Sequence, residues 1–141
     1  MKKSASAHWS GSLKSGQGTI STETDAMRDV PYGFNSRFGD GPGTNPEELI
    51  GAAHAGCFSM ALALELGKVD LTAESIETSA SVTLDRDGEG FAITAVHLTC
   101  TAKVPGADAA TFDKIAQATK KGCPVSKVLK AEITLDAKLQ A

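Results

Sequence analysis

Three cysteines, Cys57, Cys100 and Cys123, are the residues of this chain best suited to do chemistry, and they are separated by 43 and 23 positions. That spacing matches no paired C-x-x-C zinc pattern and no dense secreted disulfide framework. Cys57 sits inside the nearly uncharged run GAAHAGCFSMALALELG (51–67), where packing is the plain reading, because free cysteine is among the most buried residue types. Cys123 follows a helix-stopping Gly122 and precedes Pro124. This places it at the N-cap of a new helix, where unpaired N–H groups and the helix dipole stabilise a thiolate. Cys100 falls in register with Val96, Leu98, Ala102 and Val104 on a strand and reads as core filler. His54, three residues before Cys57, is near enough on a helix surface to form a Cys–His pair, with a packing histidine as the plainer alternative. His8 and His97 lie on strand patterns without acidic company and receive no role. Zinc binding through His54, Cys57 and Cys123 would offer three ligands and no spacing signature.

The elements that must position these groups are legible in the periodicity. SASAHWSGSL (4–13) alternates and GTISTET (18–24) returns with β-branched residues after the turn Lys14-Ser15-Gly16-Gln17, so the chain opens on a hairpin. Residues 25–44 lack regular periodicity but hold Tyr32, Phe34 and Phe38 around Arg37. The spacing predicts a long ordered loop, of the kind that is usually functional. Asn45-Pro46-Glu47-Glu48 then announces a helix: Asn as N-cap, Pro at the first position, acids at the positive end of the dipole. Glu48 is expected to close a capping box.

This helix should run to about Leu66. Its apolar stripe is expected at Ile50, Ala53, Cys57, Met60, Ala61 and Leu64, with a second stripe of small residues at Ala52, Gly56, Ser59 and Ala63. Burial on more than one side follows. SIETSASVTLD (75–85) and FAITAVHLTCTAKV (91–104) predict a strand pair, ADAATFDKIAQATKK (107–121) a helix, CPVSKVLK (123–130) a short helix and AEITLDAKL a closing strand. The order predicts an α+β fold with antiparallel sheet and a central buried helix.

Composition narrows the function. The chain has 141 residues, 41% hydrophobic and 22% charged, which suits one soluble domain over 1–141. A net charge of −3 gives no net attraction to phosphate backbones or anionic lipid, so neither nucleic acid nor membrane is an expected partner. The lysines after Met1 lead into SASAHWSG, which has no apolar stretch of signal-peptide length. The long apolar run is interrupted by His54 and flanked by Glu47, Glu48 and Glu65. The expected location is cytoplasmic.

Two segments carry a resemblance. NPEELIGAAHAGCFSMALAL and GCPVSKVL, which put Cys57 and Cys123 66 residues apart, closely resemble the two cysteine motifs of the OsmC/Ohr family of peroxidases. PYGFNSRFGDGPGTNPEELIGAAHA looks like its OsmC branch, the osmotically inducible proteins, and the likeness runs on to the closing KAEITLDAKL. The resemblance implies an intertwined homodimer that reduces organic hydroperoxides by thiol chemistry. It implies Cys57 as the peroxidatic cysteine, Cys123 as the resolving one, Arg37 as the stabiliser of thiolate and peroxide, and Glu47 as the residue orienting Arg37. It also implies a dithiol that recycles the enzyme, of the lipoyl type by likeness to the Ohr branch, with no metal, haem or flavin.

Burial alone would raise the Cys57 pKa, so a positive partner is required, and a guanidinium is permanently charged with several donors. Ten helical residues separate Glu47 from Cys57, about 15 Å at the usual rise. Glu47 is therefore expected to serve the Cys57 of the second subunit. From physics alone Cys123, at a helix end, looks the more acidic thiol. The competing expectation is a dimeric binding protein for a small apolar ligand, its cysteines structural. A thioredoxin-like oxidoreductase fits less well, since the adjacent C-x-x-C is absent.

Overall fold

A computed structural model describes residues 1–140. The chain divides into two compact units, Met1–Leu49 and from Ile50 onward. In the first, β1 (Ala5–Ser10), β2 (Gln17–Thr22) and β3 (Val30–Tyr32) form an antiparallel sheet in that order, with Ala5 opposite Thr22 and Gly18 opposite Tyr32. The expected hairpin is β1–β2. The segment 25–44, expected as a loop, instead contributes β3 and the short helix α1 (Phe34–Phe38). Neither is long enough to leave a periodic signal. Thr44 N–H donates to the Pro31 carbonyl at 2.8 Å, and Gly43 makes this possible: its φ is +108°, and a Cβ there would stand 2.4 Å from the Pro31 oxygen.

The long helix α2 (Pro46–Gly67) begins where expected, with Glu48 N–H donating to Asn45 Oδ1 at 2.7 Å. Glu48 does not close the expected box. Its carboxylate accepts the Thr44 hydroxyl at 2.8 Å instead.

The second unit is a three-stranded sheet, β4 (Ser75–Asp87), β5 (Gly90–Lys103) and β6 (Glu132–Gln140), covered by α2 and α3 (Ala109–Gly122), with the short α4 (Pro124–Val128) leading into β6. β4 and β5 are antiparallel, joined across Gly88, which takes a φ of +62° in a tight turn. β6 is parallel to β5, from Ala95 opposite Glu132 to Lys103 opposite Gln140. The all-antiparallel sheet expected from the sequence is therefore corrected to a mixed one. The link between β5 and β6 runs through two helices, and such a crossover returns the chain to the starting end of the sheet.

Along β5, Val96, Leu98, Cys100, Ala102 and Val104 alternate inward and are buried with Phe112, Ala116 and Cys123 from the helical layer. Cys100 is core filler as expected; burial raises its pKa, opposed by the Thr78 hydroxyl. Against this layer α2 presents Gly51, His54, Phe58, Leu62 and Leu66, not the stripe expected at Ile50, Ala53, Met60 and Leu64. Periodicity finds a stripe's spacing. In a helix apolar nearly all round it does not fix which face turns to the sheet. Met60 is 77% exposed and Leu64 62%, so a second apolar face stands open beside the small residues Ala52, Gly56 and Ala63. By length and hydropathy α2 could cross a membrane, yet Phe58, Leu62 and Leu66 are completely buried within the chain.

Candidate active site

In the first unit, α1 exists to aim one side chain. Ser36, buried at its centre, donates to the Thr44 carbonyl at 2.7 Å and accepts the Gly33 N–H at 2.9 Å, while Asn45 Nδ2 donates to the Ser36 carbonyl at 3.0 Å. These bonds tie the entry and exit of the helix together. Arg37, the next residue, reaches Glu47 in the first turn of α2. Its Nη2 donates to Oε1 at 2.6 Å, and its Nε lies 3.1 Å from Oε1 and 3.3 Å from Oε2. This fork-shaped pair is the strong geometry for a guanidinium and a carboxylate. The expected partnership of Arg37 with Glu47 is thus formed within one chain.

The side chain of Glu47 is 11% exposed and that of Arg37 38%. The two engaged N–H groups leave three of the five guanidinium donors for another acceptor. Beside Arg37 lies a small cavity of about 130 Å³, walled mainly by Trp9, Tyr32, Phe34 and Phe38. An arginine at the edge of an aromatic cavity suits a ligand with one apolar end and one polar oxygen.

In the second unit, α2 carries Cys57 half-buried, and the junction of α3 and α4 carries Cys123 fully buried. None of the three cysteines is joined in a disulfide. The side chains of Cys57 and Cys123 act on one another through a hydrogen bond, so residues 66 positions apart meet. Cys123 caps α4 with Pro124 in the first turn, as expected. Burial pushes the Cys123 thiol up, but the Ser126 N–H, the Cys57 thiol, the Ser126 hydroxyl and the Val125 N–H together outweigh it, and its pKa is lowered. Burial raises the Cys57 thiol, and the Cys123 thiol raises it further against the opposing Val125 N–H. Within its own chain Cys123 is the more acidic thiol, as its helix-end position leads one to expect.

His54 does not pair with Cys57. It turns into the core, where its Nε2 lies 2.7 Å from the Ser126 hydroxyl and its Nδ1 has no partner. Ser126 was not singled out from the sequence; its place three residues after an N-capping cysteine is the signal that could have found it. His97, expected to lack acidic company, meets Thr134 at 2.6 Å and Asp136 at 3.2 Å on exposed faces. The parallel strand β6 supplies both. Among the described residues no group of three or more His, Cys, Asp or Glu side chains could hold a metal ion.

Two thiols in mutual contact, and an arginine locked in a carboxylate fork, are groups suited to thiol redox chemistry. A profile described as OsmC-like protein matches residues 39–138, and the chain belongs to that family. It is 58% identical over 139 residues to the protein named peroxiredoxin OsmC of Escherichia coli strain K12, covering 99% of this chain and 97% of that one. Among solved structures it resembles an OsmC-like protein of Vibrio cholerae, with a TM-score of 0.78 at 16% identity over 97% of this chain and 99% of that one. It also resembles the organic hydroperoxide resistance protein OhrB of Bacillus subtilis, with a TM-score of 0.69 at 23% identity over 97% and 98% of the two chains. These likenesses show the shared fold.

Proposed function

We propose that this chain is a thiol-dependent peroxidase that reduces organic hydroperoxides to alcohols, acting as one domain over residues 1–141 in an intertwined cytoplasmic homodimer. That it is a peroxide-reducing enzyme of the peroxiredoxin kind follows from its family and from its 58% identity to peroxiredoxin OsmC. The mechanism rests on one observation, the contact between the unbridged thiols of Cys57 and Cys123. The Cys57 thiolate attacks the outer peroxide oxygen, the O–O bond breaks, and the alkoxide takes a proton to leave as the alcohol. Cys57 is left as a sulfenic acid. Cys123 then attacks that sulfur, the S–O bond breaks and water departs, leaving the Cys57–Cys123 disulfide. A dithiol, such as one of the lipoyl type, reopens it by exchange, becoming a disulfide itself. Sulfur supplies both electrons.

Arg37 is assigned to the thiolate and the peroxide oxygens, and Glu47 to holding Arg37 in its fork. The rise of α2 between Glu47 and Cys57 favours service to the second subunit's thiol. The open apolar face of α2, with Met60 and Leu64, is the natural contact for that subunit. An aromatic cavity at Arg37 favours alkyl or aryl peroxides over hydrogen peroxide.

The test is consumption of cumene hydroperoxide with a dithiol reductant, for wild type beside Cys57→Ser, Cys123→Ser and Cys100→Ser. Turnover should vanish with the first two and survive the third. If wild type consumes no peroxide with any dithiol, the reading fails and a binding site for a small apolar ligand takes its place.

A further inference from the structure

The mechanism above leaves a buried histidine unused. His54 is completely buried, touches the Ser126 hydroxyl at 2.7 Å, and keeps Nδ1 unpartnered. Ser126 in turn acts on the Cys123 sulfur through its hydroxyl. We propose that His54 is a positioning residue for the resolving step, holding the Ser126 hydroxyl so that it donates to the sulfur of Cys123. This inference rests on the peroxidase reading for its purpose but on the core of the second unit for its geometry.

The tautomer follows from counting protons. A serine hydroxyl has one proton and can accept as well. If that proton goes to sulfur, Ser126 must accept from His54, so Nε2 carries the hydrogen and Nδ1 is a bare lone pair. The opposite tautomer would leave an N–H buried without an acceptor, and orphaned donors are the rarer kind. Burial lowers the His54 pKa and keeps the ring neutral, so the chain Nε2–H to Oγ–H to sulfur holds over the working pH range.

In the resolving step the electron pair of the Cys123 thiolate forms the S–S bond. The S–O bond of the Cys57 sulfenic acid breaks, and the departing hydroxide takes up the proton that Cys123 had released. A hydroxyl aimed at Cys123 stabilises that thiolate before attack. It also fixes the sulfur between the Val125 and Ser126 N–H groups and Cys57.

The test reads Cys123 alone, in the reduced full-length Cys57→Ser, Cys100→Ser protein, by its rate of iodoacetamide alkylation across pH. Ser126→Ala is expected to slow alkylation at neutral pH by about tenfold, the worth of one hydrogen bond to a charged group. His54→Leu should slow it several-fold and shift the pH midpoint upward. His54→Gln, whose amide can still donate to Ser126, should restore most of the rate. In the Ser126→Ala background, His54→Leu should add nothing. An unchanged rate in Ser126→Ala overturns the proposal even if His54→Leu does not fold, and so does a His54→Leu effect that persists without the Ser126 hydroxyl.

In the protein with Cys57 present, dimedone trapping of the sulfenic acid after one equivalent of cumene hydroperoxide should rise in Ser126→Ala. Absence of any sulfenic acid in every variant, Cys123→Ser included, would count against the peroxidase reading and leave the alkylation result standing.

Discussion

Removing the Arg37 guanidinium tests the proposed site most sharply, because the surroundings of Cys57 in the second unit disfavour its thiolate. Burial and the neighbouring Cys123 both raise its pKa, and one backbone N–H opposes them. Two donors of Arg37 are spent on Glu47, at 2.6 Å and 3.1 Å, which leaves three to share between a thiolate and a peroxide oxygen. A hydrogen bond to a charged group is worth about 1.5–3 kcal/mol. With two such bonds in the transition state, taken at the low end because the Arg37 side chain is 38% exposed, the total is about 3 kcal/mol. Arg37→Met should therefore cost on the order of 10² in kcat/KM.

Arg37→Lys keeps the charge but not the fork and should cost roughly tenfold. Glu47→Gln keeps the cation and a neutral acceptor, and should cost about fivefold, one kilocalorie. The assay is the initial rate with cumene hydroperoxide under saturating dithiol, with thermal melts to confirm folding. Turnover in Arg37→Met within threefold of wild type would refute the argument. A Glu47→Gln loss larger than that of Arg37→Met would refute the assignment of Glu47 as a support for Arg37.

Two further outcomes concern the core. Phe58 is completely buried at the centre of the α2 face that meets the sheet, so Phe58→Ala should lower unfolding free energy by about 3–5 kcal/mol in denaturant titration. A loss below 1 kcal/mol would mean that α2 is not seated as described. His54 has its pKa lowered by burial from an ordinary 6.5. Below about pH 6.5 the unfolded chain then binds a proton that the folded one resists, so unfolding free energy falls with acidification, by at most about 1.4 kcal/mol per pH unit from this group. His54→Gln should flatten that part of the profile; an equal slope in the variant would assign the effect to other groups.

How much of this was legible beforehand depended on how far apart in the chain the interacting groups lie. The cap at Asn45, the inward register of Cys100, the helix-end position of Cys123 and the closing strand are local, and local rules found them. The face of α2 was misread because alanines and leucines surround the helix, and the choice of Phe58, Leu62 and Leu66 is made by the sheet. The direction of β6 and the neighbours of His97 were equally invisible, since pairing across a crossover leaves no mark in a strand's own alternation. The roles proposed for Arg37, Glu47, Cys57 and Cys123 come through family resemblance. Spacing alone makes Cys57 a packing residue and gives Arg37 no role of its own.

The opposite pKa directions of the two thiols bear on why a second subunit would be needed at all. Burial, and then the hydrogen bond to Cys123, raises the Cys57 thiol, while the Ser126 N–H, the Cys57 thiol and the Ser126 hydroxyl lower that of Cys123, so the thiolate is favoured at Cys123. That is the wrong order for a Cys57 nucleophile. A guanidinium brought against Cys57 would reverse it, since an adjacent positive charge favours the charged form of the nearer group. If the second subunit supplies that cation, dimer formation turns the pair on.

Leu64, 62% exposed on the open face of α2, is the place to test this. Leu64→Glu is expected to give a monomer in light scattering, with cumene hydroperoxide turnover reduced at least tenfold. Limited alkylation at neutral pH, read by peptide mass, should mark Cys57 first in the wild-type dimer and Cys123 first in the monomer. Cys57 labelled first in both states would show that its activation lies within the single chain. A wild-type protein that is monomeric at micromolar concentration and fully active would remove the second subunit from the mechanism.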